Sequence, residues 1–287
     1  MHFLRLLGGI GLSDAHGREI DSLLRKPKHV ALLAYLAMPH PGAWHRRDLL
    51  IATFWPDTDQ DRARASLRSA LLIIRRSLPE GAIVARGDDE LSLVPATVHV
   101  DVHAMSEDFS AGRFDDALAQ YQGDLLPGVF IADAPEFDRW LEQQRRRLRT
   151  MAGKAATQIS AVREKRGDIE GAIDAARRAA ELSPDDEPTA RRWIALLDKA
   201  GDRAQAFAVY ERFRNHLDDT LGVRPSAETV ALLDAIRARR EPVGIPPVAP
   251  DPIAPAEAPL LTDRVPATSA VKHSDSMPTR LGGSDRP

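Results

Sequence analysis

From Met1 to Ile20 short apolar runs (Phe3-Leu4, Leu6-Leu7, Ile10, Leu12) are broken by Gly8, Gly9, Gly11, Asp14 and Gly17, which predicts short strands joined by tight turns. From Pro27 the spacing becomes helical: Val30, Leu33, Ala34 and Ala37 share one face, with Leu32 and Leu36 beside them, until Pro39 and Pro41. A second helix is predicted from about Arg46 to Phe54, gathering Leu49, Leu50 and Phe54, with Trp55-Pro56 closing it. A third runs from about Asp61 to Leu78, where Ala63, Leu67, Leu71, Ile74 and Leu78 form one apolar stripe. Ile83–Arg86 and Glu90–Leu93, joined by Gly87-Asp88-Asp89, read as a β-hairpin.

Residues 101–240 have helical period almost throughout, and they repeat. Gly167-Asp168-Ile169-Glu170-Gly171-Ala172 returns 34 residues later as Gly201-Asp202-Arg203-Ala204-Gln205-Ala206, the spacing of tetratricopeptide arrays. Ile169, Ala172, Ile173, Ala176 and Ala180 make one apolar face, Ala190, Trp193, Ile194 and Leu197 a second, and Ala206, Phe207, Tyr210 and Leu217 a third. Gly112-Arg113-Phe114-Asp115-Asp116-Ala117-Leu118 resembles an earlier copy of the same opening. A long helix from about Pro135 to Arg166 joins them, with Phe137, Trp140, Leu141, Leu148, Ala152, Ala155, Ile159 and Val162 on its inner side. Beyond residue 240 ten of the 21 prolines crowd into 241–287 with little large apolar content, so that segment is expected to be a disordered tail.

Composition narrows the chemistry. With no Cys, disulfides, thiolate metal sites and Cys nucleophiles are excluded. No apolar run approaches the ~18 residues of a spanning helix and Met1–Arg5 lacks a secretory layout, so the expected location is the cytoplasm. Charge is uneven: residues 1–100 hold 13 Lys and Arg against 11 Asp and Glu, whereas 101–240 hold 22 against 25. Within the basic part, Arg62 to Arg76 carries five arginines and no carboxylate, the footprint of a polyanion binder or of a merely solvated helix face.

Strands, three helices with the last one basic, and then a hairpin is the order of a winged helix-turn-helix. A helix fits the B-DNA major groove, Arg can pair bidentately with guanine, and a hairpin wing can reach a neighbouring groove. On a helical wheel Arg64, Arg68 and Arg75 project in a narrow arc beside the apolar stripe, while Arg62, Ser66, Ser69, Ile73 and Arg76 take the far side. The candidate recognition-helix residues are therefore Arg62, Arg64, Arg68, Ser69, Arg75 and Arg76. Lys26, Lys28, Arg46, Arg47 and Arg86 are the candidates for phosphate positioning.

A family resemblance follows from Leu6-Leu7-Gly8, the helix Pro27–Ala37, Arg47-Asp48-Leu49-Leu50 with Phe54-Trp55-Pro56-Asp57, and above all Ala63-Arg64-Ala65-Ser66-Leu67-Arg68-Ser69-Ala70-Leu71 with Arg75-Arg76-Ser77-Leu78. Val100-Asp101-Val102, Tyr121-Gln122-Gly123-Asp124-Leu125-Leu126-Pro127-Gly128 and Leu221-Gly222-Val223-Arg224-Pro225-Ser226 continue it. Residues 1 to about 240 resemble bacterial transcriptional activators of the antibiotic-regulatory type, which join an OmpR-like winged helix to a bacterial transcriptional activator domain. The resemblance implies a mainly α chain, with a winged helix over 1–100 and a tetratricopeptide-like all-α domain over 101–240; the Pro-rich tail 241–287 has no counterpart in it. It implies binding of double-stranded DNA at promoter direct repeats and contact with RNA polymerase, with a homodimer left open and no membrane partner. No G-x-x-x-x-G-K-[ST] loop occurs, so nucleotide-driven switching is not expected, and no cofactor is.

Two other classes compete with this one. A repeat-type adaptor whose winged helix binds protein would use the same fold. An enzyme would need a nucleophile, base and orienter grouping that the sequence does not offer. His99 and His103, four apart, read as incidental rather than as a metal pair, and Arg145-Arg146-Arg147 with Arg149 reads mostly as a solvated face.

Overall fold

Two three-stranded sheets frame the N-terminal hundred residues of this computed structural model, which describes residues 1–38 and 40–239. The expected tail at 241–287 lies outside the described residues. In the first sheet β1 (His2–Arg5) pairs antiparallel with β2 (Gly11–Ser13), Leu4 opposite Leu12, and parallel with β6 (Val98–Val100). Between them come α1 (Asp21–Leu24), α2 (Pro27–Ala37), β3 (Trp44–Arg46), α3 (Arg47–Phe54), α4 (Gln60–Arg76), β4 (Ile83–Arg86) and β5 (Glu90–Leu93). The second sheet has the order β3-β5-β4. The hairpin falls on the predicted residues.

Helix α2 starts with Pro27 in its first turn, where a missing N–H costs nothing, and buries Val30 to Ala34, Leu36 and Ala37. A helix buried on nearly all sides is the centre of a core, and Leu32 and Leu33 are fully enclosed. Helix α4 is amphipathic instead. The Asp59 side chain caps it by accepting from Asp61 N at 2.9 Å, and Ala63, Leu67, Ala70, Leu71 and Ile74 are its buried face.

Three elements escaped the sequence reading: α1, β3 and β6. Strand β3 turns polar His45 inward and apolar Trp44 outward, so its sequence shows no apolar alternation, and its pairing with Ser92 to Glu90 of β5 creates it. It also takes Arg46 out of the helix that was expected to begin there.

The chain continues as α5 (Asp101–Ser110), α6 (Phe114–Gln120), α7 (Pro135–Lys165), α8 (Ile169–Leu182), α9 (Glu187–Lys199), α10 (Arg203–Leu221) and α11 (Ala227–Ala238). The 34-residue echo has a local cause. Gly167 (φ 83°) and Gly201 (φ 86°) adopt the left-handed conformation just beyond α7 and α9. Asp168 and Asp202, which follow them, cap α8 and α10 by accepting from Gly171 N and Gln205 N. Along α7 the expected inner side holds, except that Val162 is exposed.

The α6–α7 loop is fixed by charge. Arg145 donates from Nε to Leu125 O and from Nη2 to Leu126 O, both at 2.9 Å, and Arg149 donates to the Asp124 carboxylate. These two arginines belong to the fold, which corrects their reading as a solvated face, while Arg146 and Arg147 are exposed. Among the described residues no helix is long and apolar enough to cross a membrane.

Tyr121 donates its hydroxyl to Asp124 Oδ1 at 2.8 Å. Burial, and then the Asp124 carboxylate, push its pKa up to about 12, against an ordinary value near ~10. A raised phenol pKa means that the neutral form is the one folding favours. Its stabilisation is complete below about pH 10 and is lost as pH rises towards the folded value. Thermal unfolding measured from pH 9 to 12 should therefore fall more steeply for the native protein than for Tyr121→Phe. Parallel curves would show that this phenol is not held as described.

Candidate nucleic-acid interface

Because α4 buries Leu67 and Leu71 against the core, the residues flanking that stripe must face outward. Arg64, Arg68 and Arg75 all do, and they line one open cleft of about 670 Å³. Its other walls are Arg47, Asp48 and Ile51 from α3 and Asp88 and Asp89 from the β4–β5 turn. The turn is seated by the Arg47 amide, which donates to Asp89 O at 2.8 Å. Arg47 is itself half-buried, and its Nε meets no acceptor among the described residues.

The six candidates on α4 thus divide. Arg64, Arg68 and Arg75 converge on the cleft, whereas Arg62, Ser69 and Arg76 are exposed elsewhere on the helix. Arg62 lies 3.9 Å from Asp59 and Arg64 3.9 Å from Asp61, exposed pairs worth about 0–1 kcal/mol and easily exchanged for another anion.

The five positioning candidates divide as well. Lys26 and Arg46 are exposed at the starts of α2 and α3, and Arg47 is in the cleft. Lys28 is committed inside the fold: its Nζ donates to Phe54 O at 2.9 Å and sits 5.3 Å from the Trp55 ring centre. Burial lowers its pKa, with the Asp133 charge opposing. Arg86 is held by Glu90 and stacks 4.7 Å from the Trp44 ring centre.

Sequence reasoning missed Ile51, Leu72 and the acidic wall of the cleft. Leu72 is 50% exposed although it lies beside the stripe on α4, and Asp88-Asp89 carried only a turn signal. The histidine pair is spent separately: His103 Nε2 lies 2.7 Å from Ala37 O, and the His99 ring packs on Phe3.

Helices α5 to α11 also match a family model, that of the bacterial transcriptional activator domain, over residues 100–237. Residues 100–237 belong to the bacterial transcriptional activator domain family. No curated protein matches it in sequence. Among solved structures it is similar to Mycobacterium tuberculosis EmbR in complex with low affinity phosphopeptide, with a TM-score of 0.57 at 22% identity. That match covers 83% of this chain and 65% of the EmbR chain, so this protein spans less than two thirds of its length, and the likeness is one of fold. A mutant of MamA aligns over 74% of this chain and 91% of its own at 13% identity, with a TM-score of 0.22 that carries no structural argument.

Within the activator domain, the Tyr121–Gly128 motif is structural. A Cβ on Gly8 would collide with the Gln122 carbonyl, and one on Gly123 would lie 2.8 Å from Gly8 Cα, so two glycines allow two backbones to meet. The first sheet is thereby joined to the activator domain by contacts that involve none of the cleft's arginines.

Burial separates the two leucines of α4. Leu67→Ala should cost about 2–5 kcal/mol in urea unfolding, since the side chain is enclosed, and Leu72→Ala less than about 0.5 kcal/mol. Equal costs would mean that α4 is rotated from the orientation described.

Proposed function

We propose that the chain is a transcriptional regulator of the activator type, which reads double-stranded promoter DNA with α4 in the major groove and contacts RNA polymerase. The observation that carries this reading is the convergence of Arg64, Arg68 and Arg75 on the open side of a helix whose other side is core. Guanidinium groups in that arc suit guanine O6 and N7, and α4 is long enough, at 17 residues, to follow the groove.

Arg62, Ser69 and Arg76 serve flanking contacts, and Arg46 and Lys26 engage phosphates on either side. Arg47 supports the same reading, because it lines the cleft beside those arginines. Lys28 and Arg86 are left out of the DNA set, their charges being engaged within the fold. Tandem half-sites in direct repeat would be filled by copies facing the same way, and the work is done in the cytoplasm. No catalytic step or cofactor is part of the proposal.

Asp48, Asp88 and Asp89 face the same cleft and repel phosphate. They would restrict the duplex to an approach along the arginine side, which favours specificity over raw affinity.

Fluorescence anisotropy on a promoter fragment recovered by genome-wide mapping of bound DNA tests the assignment. Arg64→Ala with Arg68→Ala should weaken specific binding about 30-fold or more, two bidentate pairs at ~1–3 kcal/mol each. The native protein should lose affinity linearly in log salt. Specific binding that survives the double change removes α4 as the reader, and binding indifferent to salt favours the adaptor reading. Conversely, Asp88→Asn with Asp89→Asn should raise affinity several-fold at low salt, with the gain fading at high salt. Unchanged affinity would place the wing tip away from the phosphates.

A further inference from the structure

The activator domain has a concavity of its own, which shares no residue with the α3–α4 cleft. Helices α8, α9 and α10 enclose about 270 Å³, with Ala180, Pro184, Ala190, Val209 and Phe213 around Trp193. Trp193 is only 8% exposed, and its indole Nε1 is buried with no acceptor among the described residues. That nitrogen has almost no accessible surface, so Trp193 presents its hydrocarbon ring, not its N–H, to the cleft.

The rim adds a second unanswered group. Arg212 lies over the Trp193 ring, 5.4 Å from its centre, and pairs with no carboxylate among the described residues. Its neighbours on the rim are engaged: Arg177 donates to Glu181 and Asp174, and His216 meets Asp185 at 2.7 Å. The cleft therefore offers an apolar lining and an unpaired cation over its indole ring.

We propose that this cleft binds a small apolar carboxylic acid, its hydrocarbon part against Trp193, Val209 and Phe213 and its carboxylate facing Arg212. At about 270 Å³ the volume falls just below the ~300–1,000 Å³ range of ligand pockets, which limits the occupant to a short chain or a single ring. A neutral hydrocarbon would leave Arg212 unanswered, and an amine would be repelled by it. A carboxylate carries acceptors for the guanidinium, with charge of the opposite sign. The site is independent of DNA reading and would couple a metabolite to the activator domain.

Octanoate, titrated into the full chain and followed on the Trp193 indole resonance in proton–nitrogen correlation spectra, tests this, with Trp193→Phe assigning the peak. Octanol and octylamine run in parallel at equal concentration, and far-UV circular dichroism checks that the helices persist. A saturable shift with octanoate, weaker with octanol and absent with octylamine, is expected. Arg212→Gln, an exposed position that leaves the core intact, should raise the octanoate Kd about tenfold. The proposal is overturned if octanoate gives no saturable shift at millimolar concentration, if octanol or octylamine matches it, or if Arg212→Gln leaves the Kd unchanged.

Discussion

A buried carboxylate holds the two halves of the described chain together. Asp101 opens α5, and its Oδ2 accepts from the amides of Leu6 and Leu7 at 2.7 and 2.9 Å while Oδ1 accepts from Val102 N at 2.8 Å. Burial pushes its pKa up and those three amides pull against it. Taking one member away would leave several buried donors unmet, each costing about 1–3 kcal/mol. The chain leaving β1 is thereby tied to the first helix of the activator domain. Leu126 N then donates to Leu6 O, and Gly8 N to Asp124 O, which extends the junction to the α6–α7 loop.

An aromatic seam continues it. Tyr35 of α2 packs on Trp140 of α7 at 4.7 Å between ring centres, and Phe54 of α3 on Phe137 at 5.1 Å. Helices α2 and α3 are the base on which α4 lies, so the arc of Arg64, Arg68 and Arg75 is positioned from behind by the activator domain. The cleft under Trp193 lies further along the same stack of helices.

The pattern of the sequence was most legible where each residue acts locally. The stripe on α4, the hairpin at 83–93 and the Gly-Asp pairs of the repeat follow from spacing, φ preference and capping, none of which needs a distant partner. Legibility failed for β3, whose residues become a strand only beside β5, and for Lys28, Arg145 and Arg149. A charge in the sequence does not say whether its partner will be solvent or, for Lys28, the carbonyl of Phe54 twenty-six residues on. For the same reason the acidic side of the α4 cleft could not be foreseen, since Asp88 and Asp89 face those arginines only after the wing has folded back.

Residue order alone was enough to set the longer helices, the apolar face of each, and the order of a basic helix before a wing, because these depend on periodicity and on local hydrogen bonding. Which cations stay available was settled only by folding. That outcome rests on burial and on long-range partners, and it left Arg64, Arg68, Arg75 and Arg212 facing open space while Lys28, Arg145 and Arg149 were drawn into the fold.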